Sequence, residues 1–316
     1  MSKATEFSKE QIDALRDDVN RILKTEDGAT KKSLSAEAGI AYQTFHAWLS
    51  GTYTGDVQKY TGMVSIWLDA RQTRASEQGK IIATPDFVMT DMARNYLDAF
   101  KFAQITPDIC VVAGPPGFGK TIAANEYNRT NPNVFIATMK SSTSNIHGMM
   151  TQICTSMGVT VKSPTKLFET IGSRLDGAQA LIIIDEAQHL ETKALDELRA
   201  LYDEFKVGIA LVGNEGLHVA LRGGTGPSHV HTAQLTSRIG YRVKDKRMSA
   251  DDVSQMIDAW GIDDPAQVKF LTTIAGKPGA LRAVEKTIRA ASVVANGQPL
   301  SLAILKATWQ RLDPNA

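Results

Sequence analysis

The chain is poor in cysteine and has no long apolar run. Of its 316 residues only Cys110 and Cys154 are cysteines, and each lies in an apolar stretch. Two cysteines make neither a disulfide framework nor a zinc site, and they favour a reducing compartment. No apolar run approaches the length of about 18 residues that spans a bilayer, and the polar start MSKATEFSKE lacks the apolar segment of a secretion signal. The sequence therefore predicts a protein of the cytoplasm that does not insert into a membrane.

An excess of charge of either sign is also missing. The chain has 35 Lys and Arg residues against 34 Asp and Glu residues, a formal net charge of +1. Any contact with nucleic acid must therefore come from local patches and not from a global field. The remaining composition, 43% hydrophobic and 22% charged residues, is that of an ordinary folded protein. The length is enough for about two domains of roughly 150 residues.

The hydrophobic pattern divides the chain into three blocks. In the first, apolar residues recur at helical spacing between Ile12 and Leu23. In the second, short β-branched runs alternate with helical segments, which is typical of a parallel sheet with crossover helices. The third is helical again and is typical of a small bundle. We predict a helical domain over 1–75, a polar linker over 76–90, an α/β domain over 91–245 and a helical lid over 246–316.

Five runs of the middle block have the character of strands. Four of them are almost continuously apolar, as expected where helices cover both faces of a sheet. The predicted strands are 109–113, 134–138, 180–185 and 208–213, with a weaker fifth at 241–243.

A phosphate-binding loop is the strongest motif of the sequence, with the pattern GPPGFGKT at 114–121. It follows a predicted strand and opens a predicted helix, which is the context that separates the motif from a chance Gly/Pro turn before a lysine. The glycines let backbone N–H groups face the phosphates, Lys120 would neutralise the β- and γ-phosphates, and the Thr121 hydroxyl would bind Mg²⁺. The residues predicted to bind ATP are Gly114, Pro115, Pro116, Gly117, Phe118, Gly119, Lys120, Thr121 and Asp185.

Polar residues at the ends of two later strands complete the predicted site. Asp185 and Glu186 end the run LIIIDE, at the edge where open α/β sheets hold their ligands. Asp185 would share the Mg²⁺ with Thr121, and Glu186 would polarise the attacking water. Asn214 ends the next strand and would orient that water. The alternatives are an exposed turn at the two carboxylates and a left-handed turn at the asparagine.

Two arginines farther along the chain are candidates for the γ-phosphate. Arg238 follows Ser237, and Arg282 ends the sequence GALR. One could act across a subunit interface as an arginine finger, and one within the chain as a nucleotide sensor. Arginine is common on protein surfaces, so each residue has meaning only together with the rest of the site.

These motifs in this order resemble the AAA+ ATPases, and the chain is similar along nearly its whole length to the target-DNA-binding transposition proteins of phages. The local features that carry the second resemblance are GTYTGD at 51–56, YNRTN at 127–131 and KPGALR at 277–282. The resemblance implies a DNA-stimulated ATPase that forms a helical filament on duplex DNA when ATP is bound and delivers that DNA to a DDE-type transposase, which it activates. Hydrolysis would then release the DNA, in the host cytoplasm if a phage encodes the protein.

Two departures from the pattern affect the details. Gln188 and His189 follow Asp185-Glu186-Ala187, and the loop 222–231 is rich in Gly and His. Arg222 is therefore a second candidate for the trans-acting arginine.

The first block contains a candidate DNA-binding motif. Residues 31–49 have the pattern of two helices with a turn at Gly39, and Phe45, Trp48 and Leu49 would face inward. This is the form of a helix-turn-helix, although small protein-docking domains share the spacing, and the block has equal numbers of acidic and basic residues. The side chains predicted to contact DNA are Gln43, Thr44 and His46.

Further DNA contacts are predicted in the α/β block. The segment 138–145 is rich in hydroxyl and amide groups, which contact phosphates without reading sequence. Lys140, Lys166 and Arg174 would line the inner wall of a filament; the alternative is helix capping with solvated cations. The four tryptophans recur with apolar residues at helical spacing and are predicted to be core residues.

Two other functions fit the same motifs. A helicase loader would bind a helicase and prefer single-stranded DNA. A helix-turn-helix regulator would read an operator and use the nucleotide as a switch. The presence of Glu186 together with the two arginines favours a hydrolase over a switch that does not hydrolyse.

Overall fold

The chain forms two compact units, Met1–Ile81 and Ile82–Ala316, in a computed structural model that describes residues 6–78, 81–222, 233–244 and 247–313. The division falls inside the predicted linker. The linker prediction was wrong at its start, because the preceding helix continues to Gln78. The residues that extend the helix are Ser, Glu and Gln, of which Glu and Gln favour helices, and the first glycine comes only at position 79.

The smaller unit consists of four helices around an aromatic core. Its helices are α1 (Lys9–Thr25), α2 (Lys31–Glu37), α3 (Tyr42–Leu49) and α4 (Val57–Gln78). Phe45, Trp48 and Leu49 are buried in the core, as predicted, because they share one face of α3. The indole N–H of Trp48 donates a hydrogen bond of 2.9 Å to Thr61 on α4, which satisfies the one polar atom that this ring buries. Gly39, with φ +66°, lies in the turn between α2 and α3.

The larger unit is built on a parallel sheet of five strands in the order β2-β3-β4-β1-β5. The strands are β1 (Ile109–Ala113), β2 (Val134–Thr138), β3 (Leu181–Asp185), β4 (Gly208–Gly213) and β5 (Ile239–Lys244). Three predicted strands match in both bounds, the third begins one residue later, and the fifth is longer than predicted. Every residue of β1, β3 and β4 is buried, which explains their continuous apolar runs.

Helices cover both faces of this sheet. They are α5 (Asp91–Ile105), α6 (Lys120–Thr130), α7 (Ile146–Ser156), α8 (Leu167–Leu175), α9 (Thr192–Phe205) and α10 (Gly216–Arg222). One apolar cluster joins α7, α8, α9 and α10 to one face, and another joins α5 and α6 to the opposite face. The strands therefore end together at one open edge, where the loops that follow them meet.

Four C-terminal helices pack on one another within the same compact unit. They are α11 (Ala250–Ala259), α12 (Pro265–Ala275), α13 (Ala280–Ala295) and α14 (Leu302–Leu312). The buried Asp252 joins them to the sheet domain, because its carboxylate accepts a hydrogen bond from the backbone N–H of Met92 at the start of α5 and another from Ser249. All four tryptophans are buried, as predicted. Within the described ranges no helix combines the length and apolar character needed to cross a bilayer.

Candidate nucleotide-binding site

The loop 114–119 connects the buried strand β1 to the first turn of α6. Gly117 and Gly119 adopt the left-handed conformation, with φ +85° and +81°, which glycine reaches without strain. The backbone N–H of Gly114 donates to the carbonyl of Gly213 at 3.3 Å and holds the loop beside β4. The Lys120 ammonium donates to the carbonyls of Gly114 and Pro115 at 2.8 and 2.7 Å. The loop therefore presents a lysine and the positive end of α6 at the same place.

The loop also touches the C-terminal helices. A Cβ atom at Gly117 would lie 2.0 Å from the carbonyl oxygen of Gly279, the residue before α13. Only glycine permits this approach. Arg282, in the first turn of α13, is exposed and lines the same cavity as the loop. The phosphate loop and the helix that carries Arg282 are thus in direct backbone contact.

A hydroxyl and a carboxylate meet beside the loop. The Thr121 hydroxyl donates to Asp185 Oδ2 at 2.9 Å, and the backbone N–H of Glu186 donates to Oδ1 at 3.0 Å. Asp185 is 3% exposed, and burial raises the pKa of its carboxyl above the ordinary value. A cation would favour the ionised form of this carboxylate, and oxygen atoms are the ligands that Mg²⁺ prefers. The pair Thr121 and Asp185 therefore fits a magnesium ion.

Glu186 is held in a strained position next to this pair. Its φ of +56° is rare for a residue with a long side chain. The side-chain amide of Gln188 donates to Glu186 Oε2, and its oxygen accepts from the backbone N–H of Asn214 at 3.2 Å. Gln188 thereby connects the ends of β3 and β4. From the sequence alone Gln188 is only a departure from the AAA+ pattern, and the available signal for its role is its position three residues after Asp185.

Asn214 lies where the sequence predicts, exposed at the end of β4. Its side-chain oxygen accepts from the backbone N–H of Gly216 at 2.8 Å, which forms a local turn at the start of α10. The left-handed backbone considered for Asn214 is not adopted. The side chain thus has a structural role in the turn, and the residue also lines the cavity described next.

These groups surround one cavity of about 750 Å³. Its lining includes the phosphate loop with Asp185, Glu186, Asn214 and Arg282. The same lining has apolar side chains, among them Phe87, Val88, Met256, Trp260 and Leu281. A cavity of this size that combines polar and apolar groups fits a nucleotide. The contribution of Phe87 and Val88 could not be predicted from the sequence, because both fall in the predicted linker.

The two candidates for a trans-acting arginine lie outside that cavity. Arg238 forms an ion pair with Asp203 of α9, with 2.6 Å between its Nε and Asp203 Oδ1. Arg222 ends α10 and lines a second cavity of about 600 Å³ together with His218, Arg242 and Lys244. Burial lowers the pKa of His218, and these three cations lower it further. Neither Arg238 nor Arg222 completes the nucleotide site of its own chain.

The residues predicted to contact DNA lie at the surface of the two units. Of the three on α3 in the smaller unit, Gln43 and His46 are exposed and Thr44 is half-buried. In the larger unit Lys140, Lys166 and Arg174 are exposed. Lys140 follows the carboxyl end of β2, whereas Arg174 lies in the last turn of α8, which leads to the opposite edge of the sheet at the start of β3. The filament wall predicted from these three side chains would therefore have to be a wide surface.

Comparison with known proteins gives the relatives of this chain. The model described as "Mu B transposition protein, C terminal" matches residues 237–312, and an AAA domain model matches residues 104–221. The ATP-dependent target DNA activator B proteins of Escherichia phages Mu and D108 are each 34% identical over 280 residues, 88% of this chain and 88% of theirs. The Mu-like prophage FluMu DNA transposition protein B of Haemophilus influenzae is 30% identical over 261 residues, 82% of this chain and 90% of its own.

The AAA domain match covers β1 to β4 and includes the phosphate loop, Asp185, Glu186 and Asn214. The Mu B match begins at the residue before Arg238 and continues through α14. The order of the five parallel strands and the position of the loop after β1 agree with the predicted α/β architecture. The chain has an α/β AAA+ fold and belongs to the family of Mu B transposition proteins.

Proposed function

We propose that this protein is an ATPase that binds duplex DNA as the target for transposition and forms a helical filament on it while ATP is bound. The observation that carries the proposal is the convergence of Lys120, Thr121, Asp185 and Glu186 on one cavity at the carboxyl edge of the sheet. The curated relatives are named for ATP-dependent activation of target DNA and for DNA transposition.

The phosphate loop and α6 bind the triphosphate. Backbone N–H groups of the loop and the positive end of α6 attract the phosphates, and Lys120 exchanges its two carbonyl partners for phosphate oxygens. Thr121 and Asp185 would hold Mg²⁺, and the ion when bound would supply positive charge beside the phosphates. The base and ribose pack against the apolar side chains of the cavity, among them Phe87 and Trp260.

Hydrolysis depends on Glu186. Its carboxylate accepts a proton from a water molecule as the water oxygen attacks the γ-phosphorus in line, and the bond from that phosphorus to the bridging oxygen breaks. Gln188 fixes the carboxylate and links it to the end of β4, where Asn214 orients the water. Arg282 binds the phosphates from α13. The contact between Gly117 of the phosphate loop and Gly279 couples phosphate binding to the C-terminal helices.

Assembly completes the site in this proposal. Arg238 of one subunit supplies positive charge to the γ-phosphate of its neighbour, with Arg222 as the second candidate. Duplex DNA lies against Lys140, Lys166 and Arg174, and the smaller unit adds contacts from α3. Phosphate contacts of this kind are insensitive to base sequence and are weakened by salt. The ATP-bound filament presents the DNA to a transposase, and hydrolysis releases it.

Negative-stain microscopy with a random-sequence duplex tests the proposal. Continuous filaments should form with a non-hydrolysable ATP analogue, should be absent with ADP, and should be absent for Lys120→Ala in both states. Isolated particles or closed rings in every nucleotide state would overturn it.

A further inference from the structure

Arg238 is held by a chain of ion pairs that begins on α9. Asp203, in the last turn of α9, accepts from Arg238 Nε through Oδ1 and from Arg199 Nη1 through Oδ2, both at 2.6 Å. Arg199 Nε in turn donates to Asp196 at 2.8 Å. The hydrogen bond from Arg238 holds the pKa of Asp203 below its ordinary value, so Asp203 is ionised at neutral pH.

The same contacts fix the orientation of the guanidinium. Nε is bound to Asp203, and Nη1 donates to the backbone carbonyl of Gln234 at 2.9 Å. Among the described residues Nη2 finds no acceptor. The side chain of Arg238 is 33% exposed. Since the five N–H donors of an arginine lie in one rigid plane, the bonds of Nε to Asp203 and of Nη1 to Gln234 together fix the orientation of that plane.

We propose that Asp203 is a positioning residue that prepares Arg238 to act on the nucleotide of a neighbouring subunit. The inference rests on the proposed trans role of Arg238. A flexible arginine loses side-chain entropy when it is ordered on assembly, and an arginine already held by Asp203 has lost most of that freedom beforehand. In this proposal Asp203 acts only through Arg238.

Stability separates this role from a purely structural one. Both side chains of the Asp203–Arg238 pair are about one third exposed, and ion pairs of that exposure contribute little to folding. Replacing Asp203 should therefore leave the unfolding temperature almost unchanged while it lowers turnover. Glu204 is the matched control, since it is exposed, lies next to Asp203 and also has a carboxylate.

The first experiment measures ATP turnover of the full chain with duplex DNA for Asp203→Ala, Asp203→Asn and Glu204→Ala. For Asp203→Ala, kcat should fall about tenfold or more, with KM for ATP changed less than about twofold, because a displaced group costs turnover and not ground-state binding. Asp203→Asn, which keeps the size of the side chain, should lose part of kcat, and Glu204→Ala should behave as the unchanged protein. Wild-type kcat in both Asp203 variants would overturn the proposal.

The second experiment mixes subunits. Glu186→Gln lacks the base but has an intact Arg238, whereas Asp203→Ala has an intact base and a misplaced Arg238. In mixed assemblies some interfaces place the intact Arg238 of a Glu186→Gln subunit beside the intact Glu186 of an Asp203→Ala subunit. Turnover of the mixture should therefore exceed the sum of the turnovers of the two variants measured alone. Failure of this mixture, with rescue of Arg238→Ala by the same partner, would overturn the role of Asp203 only. Failure to rescue Arg238→Ala would overturn the trans role of Arg238 itself.

Discussion

The contact between Gly117 and Gly279 gives a prediction that needs only two alanine variants. A Cβ at Gly117 would lie 2.0 Å from the Gly279 carbonyl oxygen, and real Cβ contacts essentially never fall below 3.0 Å. The loop or the start of α13 must therefore move by about 1 Å in Gly117→Ala, an overpacking defect. Gly119 is the matched control, because its φ of +81° is close to the +85° of Gly117 and its Cβ would meet nothing within 4 Å.

The two variants share one cost and differ in the other. A non-glycine residue in the left-handed region costs about 1–2 kcal/mol, which is the whole loss of unfolding free energy expected for Gly119→Ala. Gly117→Ala should lose a further 1–3 kcal/mol or so from overpacking against the Gly279 carbonyl. Equilibrium urea unfolding of the nucleotide-free protein, followed by circular dichroism, measures both losses. Equal losses in the two variants would refute the contact between the phosphate loop and the helical part.

Three further predictions concern the site and the DNA. Asp185→Asn should stabilise the nucleotide-free protein near pH 7, because it removes a buried charge, and should abolish the rise in unfolding temperature caused by Mg²⁺ and ATP. Burial raises the pKa of Asp185 in the folded state, so the ionised carboxylate lowers the stability of the folded protein above that pKa and this loss disappears as pH falls through it. The extra stability of Asp185→Asn should therefore shrink in acid. Thermal unfolding at several pH values measures this difference, and a difference that grows in acid would contradict it. Gln188→Ala should lower kcat about tenfold through loss of orientation and leave ATP affinity within about twofold; a matched loss of affinity, measured by nucleotide titration, would show that Gln188 serves binding instead. Lys140→Ala should weaken duplex binding equally for different sequences and reduce its salt dependence by about one ion; an anisotropy titration over a range of salt concentrations with an unchanged slope would remove Lys140 from the interface.

The sequence was sufficient for the features that depend on local pattern. The buried strands are continuous apolar runs because helices cover both faces, and β1 and β4 were predicted to the residue. The phosphate loop needs glycine at positions of positive φ, and its flanks place it between a strand and a helix. Asp185 ends β3 and Asn214 directly follows β4, so the parallel sheet alone brings them to the same edge.

Features that depend on tertiary contacts could not be predicted from the sequence. The roles of Gln188 and Asp203 arise from hydrogen bonds to residues 26 and 35 positions away. The apolar lining of the cavity combines Phe87 and Val88 with residues of the C-terminal helices. The start of the linker was misplaced because the polar composition after residue 75 suggests that the helix ends there. In the structure α4 continues to Gln78, directly before Gly79.

In the proposed function, ATP hydrolysis at the cavity around Lys120 and Glu186 controls the binding of duplex DNA. The most direct measurement is the anisotropy of a labelled random-sequence duplex, first bound with ATP and then followed as the ATP is consumed. The unchanged protein should release the duplex as ADP accumulates, Glu186→Gln should retain it, and Lys120→Ala should not bind it. Retention of the duplex by the unchanged protein in ADP, or its release from Glu186→Gln at the normal rate, would contradict this role of hydrolysis.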